Sequence, residues 1–287
     1  MKSLAARTVL FGRMIKFSHS VFALPFALAS AALASGAEFP WQKLGWILVA
    51  MVGARSAAMG FNRLADQAID ARNPRTAGRE LPRGVLSRAE VALFVAVSAA
   101  ALVFAAAMLN PLCLALSPVA LAIVFGYSYT KRFTSLSHLF LGLALAVAPV
   151  GAWLAIRGQF AAAPAILGLA VLAWVAGFDT IYACQDAEFD KAEGLHSLPA
   201  RLGVRRALIV ARWLHVCAVV ALAAVYWLVP LHPLYLAGVA GVAALLAYEH
   251  SLVRAHDLSR INAAFFTVNG WVSIGYCATT VAARLLV

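Results

Sequence analysis

Apolar runs close to or above the roughly 17 to 25 residues that cross a bilayer as a helix recur along the whole chain, and nothing else restricts its fold as strongly. Nine can be read, near residues 18–36, 44–64, 89–109, 112–128, 138–156, 163–184, 208–229, 233–250 and 261–283, the fourth and eighth being short. With 63% hydrophobic residues, 12% charged residues and a mean hydropathy of +0.86, the chain could not stay in solution as a globule. The expected fold is therefore all-α, a polytopic membrane protein of about nine transmembrane helices. No low-complexity linker or soluble insertion interrupts the spans, so residues 1–287 are expected to form a single domain.

Basic residues divide the connections into two sets. Of 23 lysines and arginines, 19 fall in the N-terminal segment or in the second, fourth, sixth and eighth connections. The opposite side holds Lys43, Arg157 and Arg284, and Arg55 lies inside the second span. Basic loops stay on the cytoplasmic face. The expected placement is the cell (inner) membrane, with the N-terminus cytoplasmic and the C-terminus outside. The net charge of +11 follows mostly from this asymmetry, plus an anion that the loops bind, and calls for no nucleic-acid partner. No obligate protein partner is evident. The four cysteines show no CxxC or Cys/His pairing and read as small buried residues.

Acid is distributed far less evenly. Five of the six aspartates sit in two short stretches, "NRLADQAID" and "DTIYACQDAEFD". In the first, Asn62, Asp66 and Asp70 are each four residues apart and share a helix face near the cytoplasmic end of the second span. In the second, Asp179, Tyr182, Asp186 and Asp190 stand at i, i+3, i+7 and i+11, again one face of a helix. Basic loops containing "LPRG" and "LPARLG" follow, which suggests a weak internal duplication.

Like charges on one helix face destabilise it, and carboxylates at membrane depth are costly, so a cation should compensate. Lysine and arginine at a solvated helix end are the bland solution. The alternative is a hard cation, above all Mg²⁺, which takes one or two carboxylates and completes its shell with waters and phosphate oxygens. Two acidic faces with basic residues nearby suit a diphosphate, and suit ionising a substrate whose leaving group is pyrophosphate.

The two stretches match the NxxxDxxxD and DxxYxxQDxxxD motifs of the UbiA superfamily of intramembrane aromatic prenyltransferases, which the chain resembles along essentially its whole length. "YSYTKRFTSLSHLFLG", Tyr127 to Gly142, is similar to the family's segment after the fourth helix. The resemblance implies nine helices around a central cavity open sideways to lipid, holding a polyprenyl diphosphate with its tail toward the bilayer. It implies that Asp66, Asp70, Asp186 and Asp190 hold Mg²⁺, and that Asn62, Arg72, Lys131, Arg132 and Lys191 bind the diphosphate. Loss of pyrophosphate would leave an allylic cation, attacked by a hydroxylated aromatic acid.

Asp179 and Tyr182 lie deeper than Asp186 and could orient the acceptor, stabilise the cation or assist proton removal. Arg55 shares the face of Asn62 near mid-span; it either binds the acceptor carboxylate or pairs structurally, for instance with Asp179. Ser18, His19 and Ser20 could touch a headgroup or simply face water, and Asn269 could face the cavity or bond a neighbouring helix. Two acceptors compete, 4-hydroxybenzoate on a ubiquinone route and a dihydroxynaphthoate on a menaquinone route. "IKFSHSVFALPFAL" and "ARSAAMGFNRLADQAIDARNPRT" look more like the futalosine-pathway branch. A CDP-alcohol phosphotransferase would carry a DxxDGxxAR run, which is missing. A transporter of an anionic or lipidic substrate would spread its acids along a pathway rather than gather five at one face.

Overall fold

The computed structural model describes residues 4–15, 22–36 and 39–287. Among these, every regular element is helical, apart from one isolated bridge between Arg254 and Asp257. The chain divides into two compact units, residues 1–20 with 45–129, and residues 21–44 with 130–287.

The first unit contains α1 (Leu4–Met14), most of α3 (Trp41–Arg72), α4 (Arg88–Leu109) and α5 (Pro111–Thr130). At 32 residues α3 is about 48 Å long, against about 30 Å of hydrocarbon, so one end must leave the apolar layer. Its polar end is the C-terminal one, which carries Asn62, Asp66 and Asp70. The helix stops where Pro74 follows Asn73, whose carboxamide oxygen accepts from the Arg75 amide at 2.9 Å. The next helix starts on a reciprocal cap: Ser87 Oγ accepts from the Glu90 amide at 3.2 Å, and the Glu90 carboxylate accepts from the Ser87 amide at 2.8 Å. Met14 and Ile15 pack with Leu81, Leu86, Val91 and Val95, fastening the end of α1 and the α3–α4 loop to one apolar cluster.

The second unit holds α2 (Leu24–Ala34), α6 (Ser137–Arg157), α7 (Ala162–Ala183), α8 (Ala187–Ala192), α9 (Leu198–Leu202), α10 (Val204–Val225), α11 (Leu234–Leu252) and α12 (Asn269–Leu285). A 3₁₀ turn, Cys184–Asp186, joins α7 to α8, and a π-helical turn, Ala263–Val268, leads into α12. α7 is the central element, lined on two sides by α6 and α10. Small residues permit this closeness. A Cβ on Gly142 would strike the Leu172 carbonyl, and one on Gly177 would strike the His215 ring. Phe26 of α2 lies 4.9 Å from both Trp174 and Tyr276, measured between ring centres.

Among the described residues, seven helices are long and apolar enough to cross a membrane, and they meet the second to eighth predicted spans, including both short ones. The described residues do not confirm the count of nine. The first predicted span corresponds to α2, apolar but only 11 residues long, with residues 18–21 outside the described set. The ninth is shared between six residues of π-helix and the 17 of α12. The chain is a multi-pass membrane protein.

Candidate functional site

In the first unit, the i+4 spacing of the acidic motif survives intact on α3. Asn62 Nδ2 donates to Asp66 Oδ2 at 3.1 Å and to Ser128 Oγ of α5 at 3.4 Å, which leaves the amide oxygen of Asn62 turned the other way. Asp66 and Asp70 are both buried. Both oxygens of Asp70 accept from Arg79 Nη1 at 2.7 Å, and Arg63 Nη1 stands 3.9 Å away. Arg63 is itself buried, donating through Nε and Nη2 to the Met14 carbonyl at 3.4 and 3.2 Å. Arg72 is exposed at the end of α3. Arg55 lies two turns before Asn62, with Tyr127 nearby, and its Nε has no hydrogen-bond partner.

In the second unit, the motif is not one continuous helix as its spacing suggests. The 3₁₀ turn at Cys184–Asp186 intervenes. Each 3₁₀ residue turns about 120° rather than 100°, so three of them rotate Asp190 by about 60° from an unbroken helix. Beyond the turn, Asp186 and Lys131 both lie close enough to act on the charge of Asp190, and Ser197 lies beside it. Lys191 and Arg132 are exposed.

Asp179 lies apart from that group. Its Oδ2 is 2.7 Å from Nδ1 of His138, a residue the sequence reading passed over. Tyr182 packs against Phe265 of the π-turn with its ring tilted by 32°, ring centres 4.1 Å apart. Asn269 settles between its two readings as a structural bridge: its amide oxygen accepts from Trp174 Nε1 at 2.7 Å, and its nitrogen donates to Glu249 at 2.9 Å. Ser18, His19 and Ser20 lie outside the described residues.

No group of three or more His, Cys, Asp or Glu side chains among the described residues forms a ready metal cage. The donor chemistry nonetheless fits Mg²⁺. Asp66, Asp70, Asp186 and Asp190 offer oxygens only, and an ion that keeps waters and shares phosphate oxygens needs just one or two carboxylates.

Comparison with known proteins supplies the decisive observation: residues 23–271 match the UbiA prenyltransferase family. The chain belongs to that family. A relative named 4-hydroxybenzoate octaprenyltransferase, from Aeromonas salmonicida (strain A449), is 32% identical over 226 residues, covering 78% of each chain. Among UbiA structures, that of the apo homologue from Aeropyrum pernix K1 superposes with a TM-score of 0.82 at 34% identity, covering 93% of this chain and 97% of the other. A homologue from Archaeoglobus fulgidus, bound to DMAPP and Mg²⁺, gives a TM-score of 0.74 at 22% identity over 96% of this chain and 99% of its own, a likeness of fold. This UbiA family member is thus a prenyltransferase, and its acidic clusters are the features a transfer site has to explain.

Proposed function

We propose that this protein transfers a polyprenyl chain from a polyprenyl diphosphate to a hydroxylated aromatic acid, in the membrane, with loss of pyrophosphate. The observation that carries the acceptor class is the 32% identity, across 78% of both chains, to a relative named 4-hydroxybenzoate octaprenyltransferase. 4-Hydroxybenzoate is accordingly the first acceptor to test. A dihydroxynaphthoate is the second, on the strength of the segments around Ile15 and Arg55 noted above.

In this reading Asp66, Asp70, Asp186 and Asp190 hold Mg²⁺, a cofactor also present in the Archaeoglobus structure. When bound, Mg²⁺ would offset the negative charge that grows on the departing pyrophosphate. Asn62 meets the diphosphate through Nδ2–H, which would turn from Ser128 to a phosphate oxygen, since its amide oxygen can only accept. Lys131, beside Asp190, neutralises phosphate charge, and Arg72, Arg132 and Lys191 do so from exposed helix ends and loops. Breaking the allylic C–O bond leaves a cation that the ring carbon ortho to the acceptor hydroxyl attacks. A C–C bond forms and the ring loses a proton. Tyr182 presents a ring face, already held by Phe265, to that cation. Asp179 orients the acceptor hydroxyl or takes up the proton. Arg55, a half-buried cation whose buried Nε has donor capacity to spare, binds the acceptor carboxylate.

The test incubates membranes containing the protein with Mg²⁺, a polyprenyl diphosphate and each acid separately, and identifies the prenylated acid by mass. Pyrophosphate release distinguishes a transferase from a carrier of the same lipid, which would release none. Asp66→Ala, Asp186→Ala and Asp190→Ala should each lose nearly all turnover while remaining folded; wild-type rates in any of them would end the proposed metal assignment for that residue. For Arg55→Ala, a raised acceptor KM at unchanged diphosphate KM is expected.

A further inference from the structure

Three consecutive residues, His196 to Leu198, lead back to residues already placed in the transfer reaction, the third through His138. The His196 amide donates to the Lys131 carbonyl at 2.7 Å. The Ser197 hydroxyl lies beside Asp190 and accepts from the Ala200 amide at 3.3 Å, and so caps α9 as well. The Leu198 amide donates to Nε2 of His138 at 3.3 Å, and Nδ1 of the same ring meets Asp179 at 2.7 Å.

The ring has one consistent state. A backbone N–H can only donate, so Nε2 must accept from it and Nδ1 must carry the hydrogen. Nδ1–H therefore donates to the Asp179 carboxylate. His138 is buried to 3% of its surface, whereas the side chain of Asp179 is 24% exposed, so the carboxylate keeps a solvent-reachable face while its other side is fixed. A ring pinned at both nitrogens cannot rotate without breaking a bond on each side. The arrangement is a support of the kind that orients a reactive group through a neighbour's hydrogen bond.

We infer that His138 is a positioning residue for the transfer step: it aims the Asp179 carboxylate and couples that aim to the loop that holds Lys131 and Asp190. This rests on the role proposed above for Asp179. The reacting groups touch Asp179, and His138 acts only through it.

Two isosteric substitutions separate the two nitrogens. His138→Asn keeps a donor near Nδ1 and gives up the link to Leu198. His138→Gln keeps an acceptor near Nε2 and gives up the donor to Asp179. Turnover and both KM values would be measured on detergent-purified full-length protein with Mg²⁺, a polyprenyl diphosphate and the aromatic acid, with thermal unfolding recorded for each variant. His138→Gln should lower kcat by about ten- to a hundredfold, the size of effect expected when a reactive group is misplaced, with the diphosphate KM within about threefold of wild type. His138→Asn should recover most of that loss. In an Asp179→Ala background, His138→Gln should cost no further kcat, because the pair acts as one unit.

Equal activity in the Asn and Gln variants, or full additivity with Asp179→Ala, would overturn the inference and leave His138 as a packing residue. Wild-type turnover in Asp179→Ala alone would remove the role of Asp179 and this one with it. An inactive Asp179→Ala beside an unimpaired His138→Gln sinks only the inference about His138.

Discussion

Replacing Arg79 by methionine should make this enzyme easier, not harder, to activate with Mg²⁺. Both oxygens of Asp70 accept from a single Arg79 nitrogen at 2.7 Å, with the Asp70 side chain 6% and the Arg79 side chain 22% exposed. A metal ion taking Asp70 as a ligand must share those lone pairs or displace the guanidinium. A charge-assisted hydrogen bond contributes about 1.5 to 3 kcal/mol, and partial exposure of Arg79 argues for the lower end. At about 1.4 kcal/mol per factor of ten, removing the competitor should lower the half-activating Mg²⁺ concentration about tenfold. Loss of a positive charge near the ion acts in the same direction. The assay is pyrophosphate release against Mg²⁺ at saturating diphosphate, repeated with the diphosphate varied at saturating Mg²⁺. The second series detects any added contact between Arg79 and phosphate as a raised KM. A half-activating concentration that stays put or rises would refute Asp70 as a metal ligand in competition with Arg79.

Other outcomes follow from the same geometry. Gly177→Ala should destabilise the protein by about 2 to 4 kcal/mol, since the new methyl overpacks the α7–α10 contact and breaks the 3.2 Å bond from His215 Nε2 to the Trp174 carbonyl. Thermal unfolding in detergent measures it, and adding His215→Ala should restore part of the loss by vacating the space. Tyr182→Phe should keep kcat within about twofold, whereas Tyr182→Leu should lose up to about thirtyfold if a ring face contributes about 2 kcal/mol toward a cation; equal rates in the two variants would dismiss the ring. A single cysteine at Gly84, in a background without the natural ones, should react with an impermeant thiol reagent only from the cytoplasmic side, and one at Val287 only from outside.

The acidic stretches were legible because charge inside an apolar run is expensive enough to need a reason, and their spacing could be read on a helix. Asn62, Asp66 and Asp70 kept that spacing on α3. Asp186 and Asp190 did not keep one face with Asp179 and Tyr182, because the backbone tightens at Cys184–Asp186, and nothing in the residue spacing distinguishes an α turn from a 3₁₀ turn. His138 looked like an ordinary polar residue at a helix entrance. Its meaning depends on Asp179, 41 residues on, and on a backbone amide 60 residues on. Arg79 was one arginine among several in a loop whose positive charge already had an explanation in topology. Glu249 stands alone in its apolar run, without the repeated spacing that marks the aspartates, yet it is fully buried against Asn269.

The carbonyl of Met14 closes α1, and Arg63 is what closes it, with two of its donors spent on that one oxygen. Shortening the chain before residue 14, or pulling on it with a bulky fusion, would hand those donors back to a buried guanidinium. One acceptor close by is Asp70, 3.9 Å from the third nitrogen. An alteration near the N-terminus, far along the sequence from any acidic motif, would then be felt as a second arginine competing for the Asp70 carboxylate.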